Sequence, residues 1–226
     1  MREPVLILSD LHLGHKGSLV DDVSALRPLI DGVGTLLLNG DTWQELAREF
    51  RADGERLWMD LQQMCAQMGI DLMALPGNHD PGNGNGDCGY VELAGGKIVI
   101  THGDCVFAEG APWSRMAIAK HKEWMVLWAQ RPTETIDERL ALGRELARML
   151  VAPSHGRSRN LFLRAWDALM PPGRALRMVL SWATMVAETR KFFHRYFPAA
   201  EVMICGHFHR AGIWDEKQGL VINTGS

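Results

Sequence analysis

The sequence predicts an α/β body interrupted by a helical insertion, and three observations carry that prediction. Apolar runs of strand length alternate with stretches of helical periodicity from Val5 to Leu75, the pattern of a parallel sheet with right-handed crossovers. Clusters of Asp, His, Asn and Gly follow these strand-like runs instead of being scattered. From Ala111 to Phe197 the character changes to helical periodicity rich in Trp, Met and Arg. The predicted division is a body of residues 1–104 and 200–226 with a helical cap, 105–199, inserted between them.

Taken in order, Val5 to Ser9 is predicted as a buried strand that delivers Asp10-Leu11-His12 at its carboxyl end. One intervening residue in an extended segment places Asp10 and His12 on the same side of the chain. Leu19 to Ile30 has helical periodicity, and Val33 to Leu38 is a second strand ending at Asn39-Gly40-Asp41. Glu45 to Gln67 is a helical stretch that Gly54 could break, and Ile70 to Leu75 is the third strand. Leu75-Pro76-Gly77-Asn78-His79-Asp80 follows, its Pro and Gly ending the strand and displaying the polar residues on a loop. Tyr90 to Leu93 and Lys97 to Ile100 form a hairpin around Gly95-Gly96 that runs into Thr101-His102-Gly103-Asp104. The insertion reads as roughly four helices, with breaks near Arg131-Pro132, Val151-Ala152-Pro153 and Pro171-Pro172-Gly173. Glu201 to Cys205 returns to a strand and is followed by Gly206-His207-Phe208-His209. Ala211 to Trp214 and Leu220 to Asn223 are predicted strands of a second, antiparallel layer.

Composition narrows the function classes. With 46% hydrophobic and 23% charged residues, the 226-residue chain can bury a substantial core. The segment Cys105 to Phe197 holds 15 Lys and Arg against 8 Asp and Glu, a charge of +7. The remainder holds 9 against 19, a charge of −10, and the two make the net −3. An acidic body under a basic insertion suits cations below and an anionic substrate above. Cys65, Cys88, Cys105 and Cys205 lack paired spacing and are expected as reduced thiols of a cytoplasmic protein. The apolar run at the start is too short for a signal peptide, and no stretch is long enough to span a bilayer. Peripheral contact with the inner face of a membrane, through the cap, is compatible with both.

The strand-end set is Asp10, His12, Asp41, Asn78, His102, His207 and His209. These mixed nitrogen and oxygen donors are too many for one ion and suit two, with Asp41 as the carboxylate that can be shared. The donor types favour manganese, iron or zinc over magnesium or calcium. His79 offers an imidazole able to give or take a proton, and Asp80 is a carboxylate able to orient it, so both are candidate catalytic residues. The basic polar run with Arg157, Arg159 and Asn160 is the expected phosphate grip, joined by His15 beside the first cluster. His121 and His194 read as cap or surface residues, and Cys105 and Cys205 as small hydrophobes beside the ligand blocks.

Asp10-x-His12, Gly40-Asp41, Gly77-Asn78-His79-Asp80, His102-Gly103-Asp104 and Gly206-His207-Phe208-His209 together resemble the five blocks of the calcineurin-like metallophosphoesterases. The resemblance covers residues 5–104 and 200–226. It implies a two-sheet α/β sandwich flanked by helices, and a hydrolase attacking a phosphoester or pyrophosphate in line with a metal-bridging hydroxide. It also implies that Asp10, His12, Asp41 and His209 hold one metal, that Asp41, Asn78, His102 and His207 hold the other, and that His79, oriented by Asp80, assists the leaving oxygen. The insertion is similar to the cap of UDP-2,3-diacylglucosamine pyrophosphohydrolases, which implies a nucleotide–lipid conjugate as substrate. The chain departs from that subgroup at His79, where Arg is usual, and at Thr42-Trp43-Gln44, where Leu-Phe-Glu is usual. The family's fold usually continues for a strand or more past Ser226, so either the chain is trimmed or the second sheet closes early.

Two other readings stay open. A non-catalytic, metal-stiffened scaffold for protein partners would be expected to have lost a ligand, and none is missing. A nuclease would want a basic groove across the body, whereas the Lys and Arg sit in the insertion. Nucleic acid is therefore not the expected partner.

Overall fold

The structure is a computed structural model that describes residues 1–83, 88–149, 173–216 and 219–225. Two sheets stack face to face. The first is parallel, in the order β1 (Val5–Leu8), β2 (Thr35–Asn39), β3 (Asp71–Leu75), with Ile7 beside Leu37 and Leu37 beside Met73. Every residue of β2 is buried, as expected of a central parallel strand covered on both faces. Period-two alternation sorts its side chains: Leu37 faces the second sheet with Ile100 and Ile204, while Leu36 and Leu38 face the helices.

The second sheet has five strands in the order β4 (Tyr90–Leu93), β5 (Ile98–Thr101), β6 (Val202–Cys205), β8 (Gly219–Asn223), β7 (Gly212–Glu216). It is mixed, not antiparallel. The hairpins β4–β5 and β7–β8 are antiparallel, but β5, β6 and β8 run parallel to one another. A sequence-level reading sees the tight turns and misses the parallel pairings, because those are made across the long insertion and across β7.

Two predicted helices begin later than their periodicity suggests. Asp22 accepts the Ser24 N–H at 2.8 Å and caps a short 3-10 turn, Val23–Leu26, from which α1 (Arg27–Ile30) follows with Pro28 in its first turn. The helix α2 is Arg51–Met68, and it passes through Gly54 unbroken. The stretch before it grips the loop after β3 instead of winding into helix: Glu45 accepts the Gly82 N–H at 2.7 Å and Leu46 N–H bonds the His79 carbonyl at 3.3 Å. Leu57, Leu61 and Cys65 of α2 cover the outer face of the first sheet, burial worth about 1.5–3 kcal/mol for each fully buried leucine.

The insertion supplies α3 (Arg115–Ala119), α4 (His121–Gln130), α5 (Ile136–Met149) and α6 (Arg174–Tyr196). Phe192 and Phe193 of α6, with Leu140 of α5, pack on Val99, Met203 and Val221 and cover the outer face of the second sheet. Arg139 of α5 ties the insertion down: it donates to the carbonyls of Cys105 and Phe107 just after β5, and its guanidinium lies over the Trp128 ring at 4.5 Å. The predicted helix break near Arg131 is present, while those at 151–153 and 171–172 lie outside the described residues. No described helix is long and apolar enough to cross a membrane.

Candidate metal centre

The loops leaving β1, β2, β3, β5 and β6 converge at the carboxyl rim of both sheets. Asp10, His12, Asp41, His207 and His209 all adopt left-handed backbone conformations, with φ between 48° and 67°. Each such residue costs on the order of 1–3 kcal/mol unless its surroundings enforce it. They do so here. The β1 exit remains laced to the β2 exit by Asp10 N–H to Gly40 O at 3.1 Å, His12 N–H to Asp41 O at 2.9 Å and Leu13 N–H to Thr42 O at 2.8 Å. The pairing of Asp10 with His12, and of His207 with His209, therefore arises from a coiled loop and not from the alternation of an extended strand. Gly40 lets two exits approach, because a Cβ there would overlap the His102 ring.

Three groups of side chains result: Asp10 with His12 and His209, Asp41 with His102 and His207, and, sharing members with both, His12 with Asp41 and His79. His12 Nε2 lies 4.0 Å from Asp10 Oδ1, and His209 Nε2 lies 3.6 Å from that same oxygen. The His12 and His209 rings are stacked, their planes 3° apart. Asp41 spans the first two groups: its Oδ2 is 3.9 Å from His12 Nε2, and its Oδ1 is 3.4 Å from His102 Nε2. Asp10 is held by the Ser9 hydroxyl at 2.5 Å and the His207 N–H at 3.0 Å. His102 Nδ1–H donates to the Asn39 carbonyl at 2.8 Å, which turns Nε2 toward Asp41. His207 Nε2–H donates to the Gly110 carbonyl at 3.3 Å and so leaves Nδ1 as the nitrogen able to ligate.

These residues fit divalent cations. Asn78 Oδ1 is buried without a hydrogen-bond partner, an arrangement that costs about 1–3 kcal/mol unless something binds there. Burial, followed by neighbouring imidazoles, pushes His12 and His207 down to about 3, so both are neutral and have a lone pair to give. Burial alone would raise the Asp41 carboxyl, but His102, His79 and His12 overcome it and hold it well below the usual carboxylate range. His102 is the counterpart: burial disfavours its charge, and the carboxylates, Asp41 first, hold it well above an ordinary imidazole. In the absence of a cation, His102 carries the proton that balances Asp41.

The remaining candidates divide. His79 sits at the rim with its side chain 43% exposed, its N–H bonded to Asp41 Oδ1 at 2.8 Å and its Nε2 3.9 Å from Asp41 Oδ2. Asp80 does not orient it. The Asp80 carboxylate is fully buried and accepts the N–H groups of Asp41, Thr42 and Gly77 at 2.8–3.0 Å, with the Asn83 amide at 2.9 Å. Burial and the nearby Asp41 push its carboxyl up, yet it faces donors throughout, which favours the charged form. The partner of His79 Nδ1 is Gln44 Oε1 at 3.1 Å. Sequence reading passed over Gln44, although a polar residue three positions after Asp41 in an otherwise buried segment is a signal. His15 packs on Phe50 at 4.9 Å, its ring 6.5 Å from that of His12. Arg157, Arg159 and Asn160 lie outside the described residues. His121 pairs with Glu109 at 3.5 Å, and His194 lies in the last turn of α6. Burial pushes the thiols of Cys105 and Cys205 upward, to about 12 for Cys205, so neither offers a thiolate. The segment between β5 and β6 reaches the site at Trp113, whose ring centre is 5.4 Å from that of His207.

The family model for calcineurin-like phosphoesterases matches residues 3–211. Among solved structures, the chain is similar to Vacuolar Protein Sorting 29 from Cryptosporidium parvum, at 14% identity and a TM-score of 0.37 over 98% of this chain and 73% of that one. It is similar to Vps29 complexed with zinc from Entamoeba histolytica, at 15% identity and 0.39 over 98% and 73%. A predicted phosphoesterase from Streptococcus pneumoniae gives 16% identity and 0.34 over 98% and 71%. Among curated proteins none matches.

Proposed function

The chain belongs to the calcineurin-like phosphoesterase family, and from that premise we propose that it hydrolyses a phosphoester or pyrophosphate bond with two divalent cations. Asp10, His12, Asp41 and His209 would hold one, and Asp41, Asn78, His102 and His207 the other. The observation that carries this reading is the position of Asp41, whose two oxygens face the two separate donor groups. When bound, the cations would supply an acidic water as nucleophile and neutralise charge on the phosphoryl oxygens.

The chain's own residues do the rest. Asp41 brings negative charge to a rim where His12 and His207 stay neutral. His79, half exposed beside Asp41, meets the leaving oxygen and hydrogen-bonds it or gives it a proton. Asp80 fixes the loop that carries His79 onto the β2 exit. The nitrogen-rich donor set favours manganese, iron or zinc.

The substrate reading is an amphiphilic nucleotide conjugate such as a UDP-sugar lipid. The +7 charge of the insertion supports an anionic substrate. Trp113 beside His207 and the exposed Leu176, Val179 and Leu180 of α6 support an apolar portion and contact with a membrane surface. Turnover of bis-p-nitrophenyl phosphate with added Mn²⁺ tests the reaction class, and absence of activity with any divalent ion overturns it. Turnover of UDP-sugar lipids above simple monoesters and single-stranded DNA tests the substrate class, and the reverse order rejects it.

A further inference from the structure

Gln44 is 2% exposed, and its side-chain amide bridges two imidazoles. Its Nε2 lies 3.1 Å from His12 Nδ1 and its Oε1 lies 3.1 Å from His79 Nδ1. The two rings meet edge to face, with centres 4.8 Å apart. Their far nitrogens both face the carboxylates: His12 Nε2 and His79 Nε2 are each 3.9 Å from Asp41 Oδ2. An amide has a donating end and an accepting end, and a half-turn about its last bond exchanges them. With both rings neutral, that leaves two self-consistent patterns.

In the pattern drawn by these distances, the amide N–H donates to His12 Nδ1. The His12 proton is then on Nε2, pointing at Asp10 and Asp41, and His79 donates from Nδ1 to the amide oxygen. His79 Nε2 is left as a bare acceptor. In the other pattern the amide oxygen accepts from His12 Nδ1–H, freeing Nε2 to ligate, and the amide N–H donates to His79 Nδ1. The His79 proton is then on Nε2, where the leaving oxygen would lie. Only the second pattern is compatible with a cation on His12.

We propose that Gln44 is a positioning residue that couples cation binding at His12 to proton placement on His79. Loading the Asp10–His12–His209 group turns the Gln44 amide and converts His79 from an acceptor into a donor toward the phosphoryl site. The change is proton-neutral. On His12 an N–H bond breaks at Nε2 and forms at Nδ1, on His79 one breaks at Nδ1 and forms at Nε2, both by exchange with solvent. The inference rests on the two-cation reading above, and it makes the general acid available only when the neighbouring site is filled. The same linkage would leave His79 harmless to substrate in the unloaded protein.

The test uses the full chain with ¹⁵N-labelled histidine and Zn²⁺ alone. Long-range ¹H–¹⁵N spectra are expected to show His79 protonated at Nδ1 before zinc and at Nε2 after saturation; a His79 tautomer that zinc leaves unchanged overturns the inference while the metal centre stands. Calorimetry that finds no zinc binding overturns the two-cation reading and the inference with it. Two variants separate coupling from packing. Gln44→Glu accepts from both rings, so zinc affinity is expected to stay within about threefold while Nδ1 of His79 stays protonated with and without zinc. Gln44→Met bonds neither ring, so zinc affinity is expected to fall about 10–100-fold. If zinc still removes the Nδ1 proton of His79 in Gln44→Glu, or if both variants weaken zinc equally, Gln44 is a packing residue and the coupling is rejected.

Discussion

The two donor groups of the rim differ in how they are held. Asp41, His102 and His207 are buried, and both imidazoles are anchored through their far nitrogens to the backbone carbonyls of Asn39 and Gly110. Asp10, His12 and His209 form the outer group, where His209 is 44% exposed and His12 is steered by an amide side chain that can turn. Backbone anchors fix a ligand; a rotatable amide lets it switch. If the proposed cations bind, the inner group would retain one and the outer group would exchange one. The shared Asp41 carboxylate makes the two interdependent.

The most damaging way to break this comparison is to remove the shared carboxylate. Asp41→Ala takes a ligand from both groups and is expected to reduce kcat/KM on bis-p-nitrophenyl phosphate more than about 10³-fold, beyond the 10–100-fold typical of losing an outer partner. Retention of activity within tenfold would show that Asp41 is not shared. Next comes His79→Asn, expected to cost about 10²–10³-fold in kcat with zinc affinity unchanged, since on the proposed reading it would hand on a proton and hold no cation. A parallel loss of affinity would make His79 a ligand.

A finer test separates the groups. Titration of chelator-treated protein with Zn²⁺ is expected to show two steps, with His209→Asn weakening only the looser step and His207→Asn only the tighter. A single step of equal sites contradicts the division into retaining and exchanging groups. The smallest effect is in pH. Because burial holds His12 and His207 near 3 against an ordinary 6.5, the unfolded chain takes up protons that the native state refuses. The contribution of these two rings to stability is present above about pH 6.5 and declines as pH falls toward 3. NMR of metal-free protein is expected to show both rings neutral from pH 7.5 to 4.5; protonation near 6.5 would mean that the rim is open to water.

Much of this was legible in the residues. The strand–helix alternation to Leu75 and the polar clusters after each strand located the first sheet and the rim, because parallel sheets present their loops at one edge. The parallel pairing of β6 between β5 and β8 was not legible, since it depends on partners brought together across the insertion. Nor was the late start of α2: Glu45 has a helix former's preference, and a tertiary hydrogen bond to Gly82 overrides it. Which residues meet at the rim was legible from residue type, and which partners they take was not. Asp80 adjoins His79 in sequence, yet its side chain turns inward to four backbone and amide donors, and Gln44, 35 positions away, takes the imidazole.

The central claim is that two cations flank Asp41. Anomalous diffraction from crystals grown with Mn²⁺ tests it most directly. The account predicts two peaks about 3.5–4 Å apart, one against Asp10, His12 and His209, the other against Asn78, His102 and His207, with an Asp41 oxygen reaching each. A single peak, or peaks that bypass Asp41, would contradict it.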